Sequence, residues 1–214
     1  MQAIGVLGGT FDPVHHGHLR VALELLELLQ LDSVRLVPVG SPAHRSQPIA
    51  SATQRLRMLE AAVADEPRLA VDAREVERAG PSYTVETLAS LREELPQASL
   101  SLVMGMDQFR VLHKWHRWTE LCDFAHLCVV QRPGTDAPHT PETAELLSER
   151  QVMDPRLLHT AKNGYVFMGT VPVLDISSTN IRGLLERGMS PRFLLTERVM
   201  KIIDDECIYG FNEH

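Results

Sequence analysis

Ile4-Gly5-Val6-Leu7-Gly8-Gly9-Thr10-Phe11-Asp12-Pro13-Val14-His15-His16-Gly17-His18 opens as an apolar run, turns at paired glycines and ends in a histidine cluster. Directly beyond it Leu19, Ala22, Leu23, Leu26 and Leu29 recur at helical spacing, with Arg20, Glu24, Glu27 and Gln30 opposite, so residues 17–30 are expected to be helix. Strand, glycine turn, polar cluster and helix is how an α/β protein builds an anion site. The first amides of a helix lack intrahelical partners, and the helix dipole favours negative charge beside them. The stretch therefore predicts a phosphate site. The rest of the chain tests it.

A second apolar run at 34–39 would pair in parallel with the first across that helix. A proline-rich loop at 38–45 follows, then a capping box at Ser51 to Gln54 with Leu56, Leu59 and Val63 on one helical face. Further strands are expected at 69–72, 100–104 and 127–131, with a helix after Pro81-Ser82-Tyr83-Thr84 and a short helical stretch reaching Lys114-Trp115. Residues 132–163 carry Pro133, Gly134, Pro138, Pro141 and Pro155 and show no period. An extended run at 165–173 precedes Ile176-Ser177-Ser178-Thr179-Asn180-Ile181-Arg182, which opens a helix that Gly188 stops, and a last helix spans about 196–206. The alternation predicts an α/β fold: one doubly wound parallel sheet in a single domain, 1–214, with a small helical region from about 176 to 214. Polar motifs follow strands one, two, three and four, on the edge where open α/β sheets bind ligands.

Composition narrows the function. A formal net charge of -7 over 214 residues argues against broad nucleic-acid binding, which needs a basic footprint. An odd number of cysteines, 3, with no CxxC pair, speaks against a disulfide framework or zinc ribbon and for a reducing compartment. No basic leader or apolar run of ~20 residues suggests export or membrane insertion, so a cytoplasmic protein is expected. Association with further copies of the chain is left open. The glycine turn lacks the dinucleotide GxGxxG spacing, which disfavours a dehydrogenase. Asp12, His15 and His18 could ligate a metal, as in a hydrolase, or the histidines could simply be solvated. A cation is poorly placed at a helix N-terminus, and an anion fits better.

The Gly8-Gly9-Thr10-Phe11-Asp12-Pro13-Val14-His15-His16-Gly17-His18 segment, paired with Ile176 to Arg182, resembles the HxGH and ISSTxIR signature of the nucleotidyltransferase superfamily. Within it the chain is similar to the bacterial nicotinate-nucleotide adenylyltransferases along nearly its whole length. The segments Pro42-Ala43-His44-Arg45, Pro81-Ser82-Tyr83-Thr84, Gly105-Met106-Asp107 and Lys114-Trp115 add to the likeness. The resemblance implies a Rossmann-like nucleotidyltransferase fold and transfer of the adenylyl group of ATP to nicotinate mononucleotide. The products would be deamido-NAD and pyrophosphate. Relatives that use nicotinamide mononucleotide or phosphopantetheine, and a non-catalytic nucleotide-binding module, are the alternatives.

His15, His18 and Arg182 would then be catalytic, with His18, taken as the deepest of the cluster, on the α-phosphate. ATP would also meet Gly8, Gly9, Thr10, Phe11, Gly105, Asp107, Arg132, Ile176, Ser177 and Ser178. The mononucleotide would meet Thr10, Phe11, His44, Arg45, Ser82, Tyr83, Thr84 and Trp115, with Trp118 the rival for stacking on the pyridine ring. Asp107 would receive a ribose hydroxyl, or else cap a helix. Mg²⁺ would come with ATP and be held mainly by phosphate oxygens rather than by protein ligands.

Overall fold

The computed structural model describes residues 1–42, 47–131 and 140–210. Among the described residues seven strands, all parallel, form one sheet: β1 (Ala3–Gly9), β2 (Ser33–Pro38), β3 (Leu69–Val71), β4 (Ser99–Gly105), β5 (His126–Gln131), β6 (Gln151–Val152) and β7 (Val166–Thr170). Their order across the sheet is β3-β2-β1-β4-β5-β7-β6. β1 is therefore flanked by β2 and β4, with Val6 opposite Arg35 on one side and Leu102 on the other. The chain winds outward in one direction from β1 to β3 and in the other from β4, so the switch in strand order falls between β1 and β4.

The period of two along the strands explains why both faces carry helices. Ile4 and Val6 of β1, Leu100 and Leu102 of β4, and Leu127 and Val129 of β5 enter one core. That core is completed by α4 (Thr84–Glu94), α5 (Met106–Arg110), α6 (Leu121–Phe124) and α7 (Pro141–Arg150) through Leu88, Phe109, Leu121 and Leu147. Ala3, Val103 and Cys128, one residue out of phase, point into the opposite core. There they meet α1 (His16–Leu28), α2 (Ala52–Val63), α8 (Ser178–Glu186) and α9 (Glu197–Asp205) through Leu25, Leu59, Ile181 and Ile203. The C-terminal helices thus pack on the same face as α1, and they carry the late motif to the early one.

Most expected elements recur with small shifts. The box before α2 is present, Ser51 Oγ accepting from Gln54 N at 3.2 Å while Ser51 N donates to Gln54 Oε1 at 2.9 Å. Gly188, just beyond α8, has φ +67°, a left-handed conformation that suits a helix stop. Four of these elements were not expected: α3 (Arg74–Glu77), α6, α7 and the two-residue β6. Pro141 and Pro155 are not breakers but sit at the first turns of α7 and of a 3₁₀ turn at Pro155–His159, with Thr140 and Asp154 as side-chain caps. Among the described residues no helix is long and apolar enough to cross a membrane.

Candidate active site

Two cavities open at the carboxyl edge of the sheet. The larger, about 650 Å³, is bounded by the ends of β1, β2 and β4 and includes Gly8, Gly9, Thr10, Tyr83, Gly105 and Trp115 in its walls. The smaller, about 330 Å³, lies on the other side of β4, between Gly105, Met106, Asp107 and Arg110 and the segments at Val130, Gln131, Val171 and Val173. Gly105 belongs to both. The edge predicted from the positions of the polar motifs is the edge where the structure is concave.

The histidine cluster is held by packing. His15 and His18 stack with ring centroids 3.8 Å apart, and Phe11 meets His18 edge-on at 5.0 Å. Phe11 reaches that position with φ +50°, and its ring fills the space over Gly9, where a Cβ would lie 2.8 Å from it. His15 N donates to His18 Nδ1 at 3.3 Å. A neutral imidazole accepting at Nδ1 carries its proton on Nε2, so His18 offers Nε2–H as a donor. Burial, with a small contribution from neighbouring histidines, lowers the pKa of His15 to about 4 and of His18 to about 3. Both are neutral at pH 7 in the ligand-free protein. His15 is 6 % exposed and His18 somewhat more, yet burial weighs more heavily on the His18 ring, whose pKa falls further. The whole helix start is not free for an anion, because His16 N donates to Leu194 O at 3.0 Å.

The late motif is fastened to the early one by backbone carbonyls. Ser178 Oγ donates to Pro13 O at 3.0 Å, and Arg182 Nη1 donates to Asp12 O at 2.6 Å. A Cβ on Gly17 would come within 3.5 Å of Ile176 O, so this glycine lies directly against the late motif. Ser177 Oγ caps α8 by accepting from Asn180 N at 3.2 Å. The hydroxyl hydrogen of Ser178 is thus already engaged, which leaves the backbone amides as that residue's donors for an anion. The Asp12 carboxylate is engaged by the protein. It is buried, and both carboxylate oxygens accept protein donors. Among the described residues no three of His, Cys, Asp and Glu converge as a metal site.

Around the larger cavity Trp115 is in the wall, and Trp118 is not among the residues that line it. The ring of Tyr83 lies 4.4 Å from that of His116, another lining residue. Among the described residues the side chain of Tyr83, the N-cap of α4, makes no cap hydrogen bond to the helix, and Tyr83 and Thr84 meet the cavity. Asp107 does not cap α5, whose N-cap is Gly105; its carboxylate packs over that glycine instead, 2.6 Å from where a Cβ would be. His44, Arg45 and Arg132 lie outside the described residues.

Two buried charges escaped the sequence reading. Arg55, 1 % exposed, donates to Thr10 O at 2.8 Å, Val39 O at 2.6 Å, Gly40 O at 3.2 Å and Ala50 O at 3.3 Å. It joins the loops after β1 and β2 to the start of α2. Its signal was a charge on the apolar stripe of that helix, three and four residues before Met58 and Leu59. Glu75 lines the larger cavity, and Thr87 Oγ1 donates to it at 2.6 Å. Ser82, whose Oγ accepts from Gly40 N at 3.2 Å, also bonds to Glu75. Burial pushes the Glu75 carboxyl up.

Residues 6–184 match the family described as cytidylyltransferase-like. The chain belongs to the cytidylyltransferase-like family. The same comparison extends nearly end to end with individual members. The "Probable nicotinate-nucleotide adenylyltransferase" of Cellvibrio japonicus is 49% identical over 96% of this chain and 98% of its own length. The protein of the same name from Methylococcus capsulatus is 45% identical over 97% of this chain and 99% of its own. Among solved structures, Plasmodium falciparum nicotinic acid mononucleotide adenylyltransferase complexed with NaAD covers 99% of both chains with a TM-score of 0.73. At 16% identity that likeness speaks for the family's fold alone.

Proposed function

We propose that this family member transfers the adenylyl group of ATP to nicotinate mononucleotide, releasing deamido-NAD and pyrophosphate. The single observation that carries the reading is the junction of the two motifs. Arg182 and Ser178 are bonded onto the Asp12 and Pro13 carbonyls beside the His15–His18 stack, at an edge with a cavity on each side of β4. The relatives' names agree with it.

The chemistry asks little of the protein beyond placement and charge. A phosphate oxygen of the mononucleotide, already anionic at neutral pH, attacks the α-phosphorus. A new P–O bond forms, and the bond to the bridging oxygen breaks with its electron pair leaving on pyrophosphate. No general base is required, so the neutral histidines are not proton acceptors. They are N–H donors aimed at charge that grows in the transition state. His18, with its proton on Nε2, takes the α-phosphate, and His15 and the Arg182 guanidinium take the outer phosphates. Gly8, Gly9, Thr10 and Phe11 let backbone approach the ligands. The amides of Ile176, Ser177 and Ser178 complete the anion site.

The smaller cavity takes the nucleoside of ATP, with Gly105 and Asp107 at the ribose. The larger takes the pyridine nucleotide, with Trp115 against the ring and the start of α4, at Ser82, Tyr83 and Thr84, facing its carboxylate. Amide donors there favour the acid over the uncharged amide. Mg²⁺ enters with ATP on its phosphate oxygens. The whole chain acts as one catalytic domain, with α8 and α9 as part of the site.

The test is pyrophosphate release from ATP and Mg²⁺ with nicotinate or nicotinamide mononucleotide. Release with the acid and little with the amide is expected; no release with either refutes the reading, and equal rates remove the carboxylate site. H18A is expected to lower kcat by about 100-fold or more, as for loss of a transition-state donor, with ATP affinity changed much less.

A further inference from the structure

Asp12 stands beside the proposed phosphate ligand Arg182, yet the ion pair between them is long. Its Oδ1 accepts from Tyr209 Oη at 2.7 Å and from Ala50 N at 3.1 Å, and its Oδ2 from Ile49 N at 2.9 Å. Arg182 Nη1 remains 3.8 Å from Oδ2 and donates to the Asp12 carbonyl instead. A carboxylate 4 % exposed, next to a guanidinium, would ordinarily take it in a close charge-assisted pair. Three other donors compensate its charge instead, two on Oδ1 and one on Oδ2, and the pair with Arg182 stays long. Two are backbone amides, which no substitution removes. The third is a phenol from the far end of the chain, carried back by α9 and the turn at Ile208–Gly210. Tyr209 is itself buried, so water does not replace its hydroxyl.

We propose that Tyr209 is a positioning residue for adenylyl transfer: its hydroxyl compensates part of the Asp12 charge and thereby keeps Arg182 available to the phosphates of ATP. The inference rests on the reading of Arg182 as a phosphate ligand. Without the phenol hydroxyl the carboxylate keeps only its two amide donors, its negative charge is less compensated, and Arg182, already 3.8 Å from Oδ2, is drawn closer. Closing 3.8 Å to an ordinary pair of about 2.8 Å moves the guanidinium by about 1 Å, onto Asp12 and away from the substrate. Arg55 cannot take its place, because its nitrogens are engaged by four carbonyls.

The experiment is a double-mutant cycle of Y209F and R182A. MgATP affinity would be followed by calorimetry without acceptor, KM and kcat would be measured for both substrates, and thermal midpoints recorded. Y209F is expected to weaken ATP binding about tenfold and raise the ATP KM, with the mononucleotide KM within about twofold of wild type. In the R182A background Y209F should add nothing. Equal losses for both substrates, or a loss that persists undiminished in R182A, would mean that Tyr209 acts through packing and would overturn the proposal. An unchanged Y209F beside a weakened R182A overturns the role of Tyr209 alone. Unchanged ATP affinity in R182A overturns the role of Arg182, and this inference with it.

Discussion

Replacing Gly17 by alanine should cripple the enzyme without unfolding it. A Cβ at this position would lie 2.9 Å from both Cε1 and Nδ1 of the His15 ring. Ordinary contacts begin near 3.4 Å, so the ring must retreat by about 0.5–1 Å. It cannot do so alone, because His18 is stacked on it at 3.8 Å and Phe11 abuts His18. Both proposed donors therefore move together. A misplacement of about 1 Å at a catalytic group can cost about 100-fold, and a drop in kcat of about 10- to 100-fold is expected. Stability should move the other way. Gly17 lies inside α1 and is not among the residues with positive φ, so alanine suits its backbone. In a helix alanine is better than glycine by about 0.5–1 kcal/mol. The carbonyl of Ile176, at 3.5 Å from the new methyl, is in ordinary contact. Steady-state pyrophosphate release and a thermal melt on the same preparation decide the matter. A G17A enzyme with kcat within twofold of wild type would refute the claim that the His15–His18 stack is the catalytic centre.

Three further outcomes follow from the same geometry. His15, lowered from 6.5 to about 4, and His18, lowered to about 3, bind protons more readily in the unfolded chain. Their contribution to stability is complete above pH 6.5 and is lost as pH falls toward 4, by about 2 kcal/mol for His15 between pH 7 and 5. H15N should thus flatten the fall of the thermal midpoint over that interval, and an unchanged slope would contradict the shift. R55A orphans four carbonyls and should lower stability by about 3–5 kcal/mol, a loss measurable by urea unfolding, while R55K recovers only part of it because one ammonium cannot span the set. W115A should raise the KM for nicotinate mononucleotide by about tenfold or more, on the scale of a lost aromatic stack, while W118A leaves it within twofold; the reverse pattern would reassign the ring site.

Local patterns carried most of the architecture. β1, α1, β2, α2 and β4 were legible because apolar period and glycine or serine punctuation agree there. α7 was not, because prolines read as breaks where Pro141 is a start: Thr140-Pro141-Glu142 has the cap, the fixed φ and the first-turn acid of a helix N-terminus. The motif residues were legible as types in a pattern, yet their division of labour was not. Ser178 looks like a phosphate hydroxyl until its hydrogen is found on Pro13 O, and His16 N looks like a free amide until Leu194 O is found against it. Which donor is already engaged depends on segments more than 150 residues away along the chain, and no local pattern encodes that.

The buried charges make the same point from the other direction. A site for two polyanions needs open loops after β1 and β2 that nevertheless hold still, and such loops have carbonyls no strand or helix can satisfy. Arg55 satisfies four of them, Arg182 another and Ser178 another. Each of these donors stabilises the loops only if its own charge or hydroxyl is tolerated where it sits, which explains the company they keep. Asp12 lies between the two arginines, and Tyr209 and two amides satisfy its carboxylate in turn. Two arginines against one carboxylate leave this cluster with a single net positive charge. With His15 and His18 uncharged, it presents oriented N–H groups rather than several bare cations. On the proposed reading that arrangement serves the growing charge of a transition state without the desolvation cost of holding several buried cations, and it reconciles an anion site with a chain whose net charge is -7.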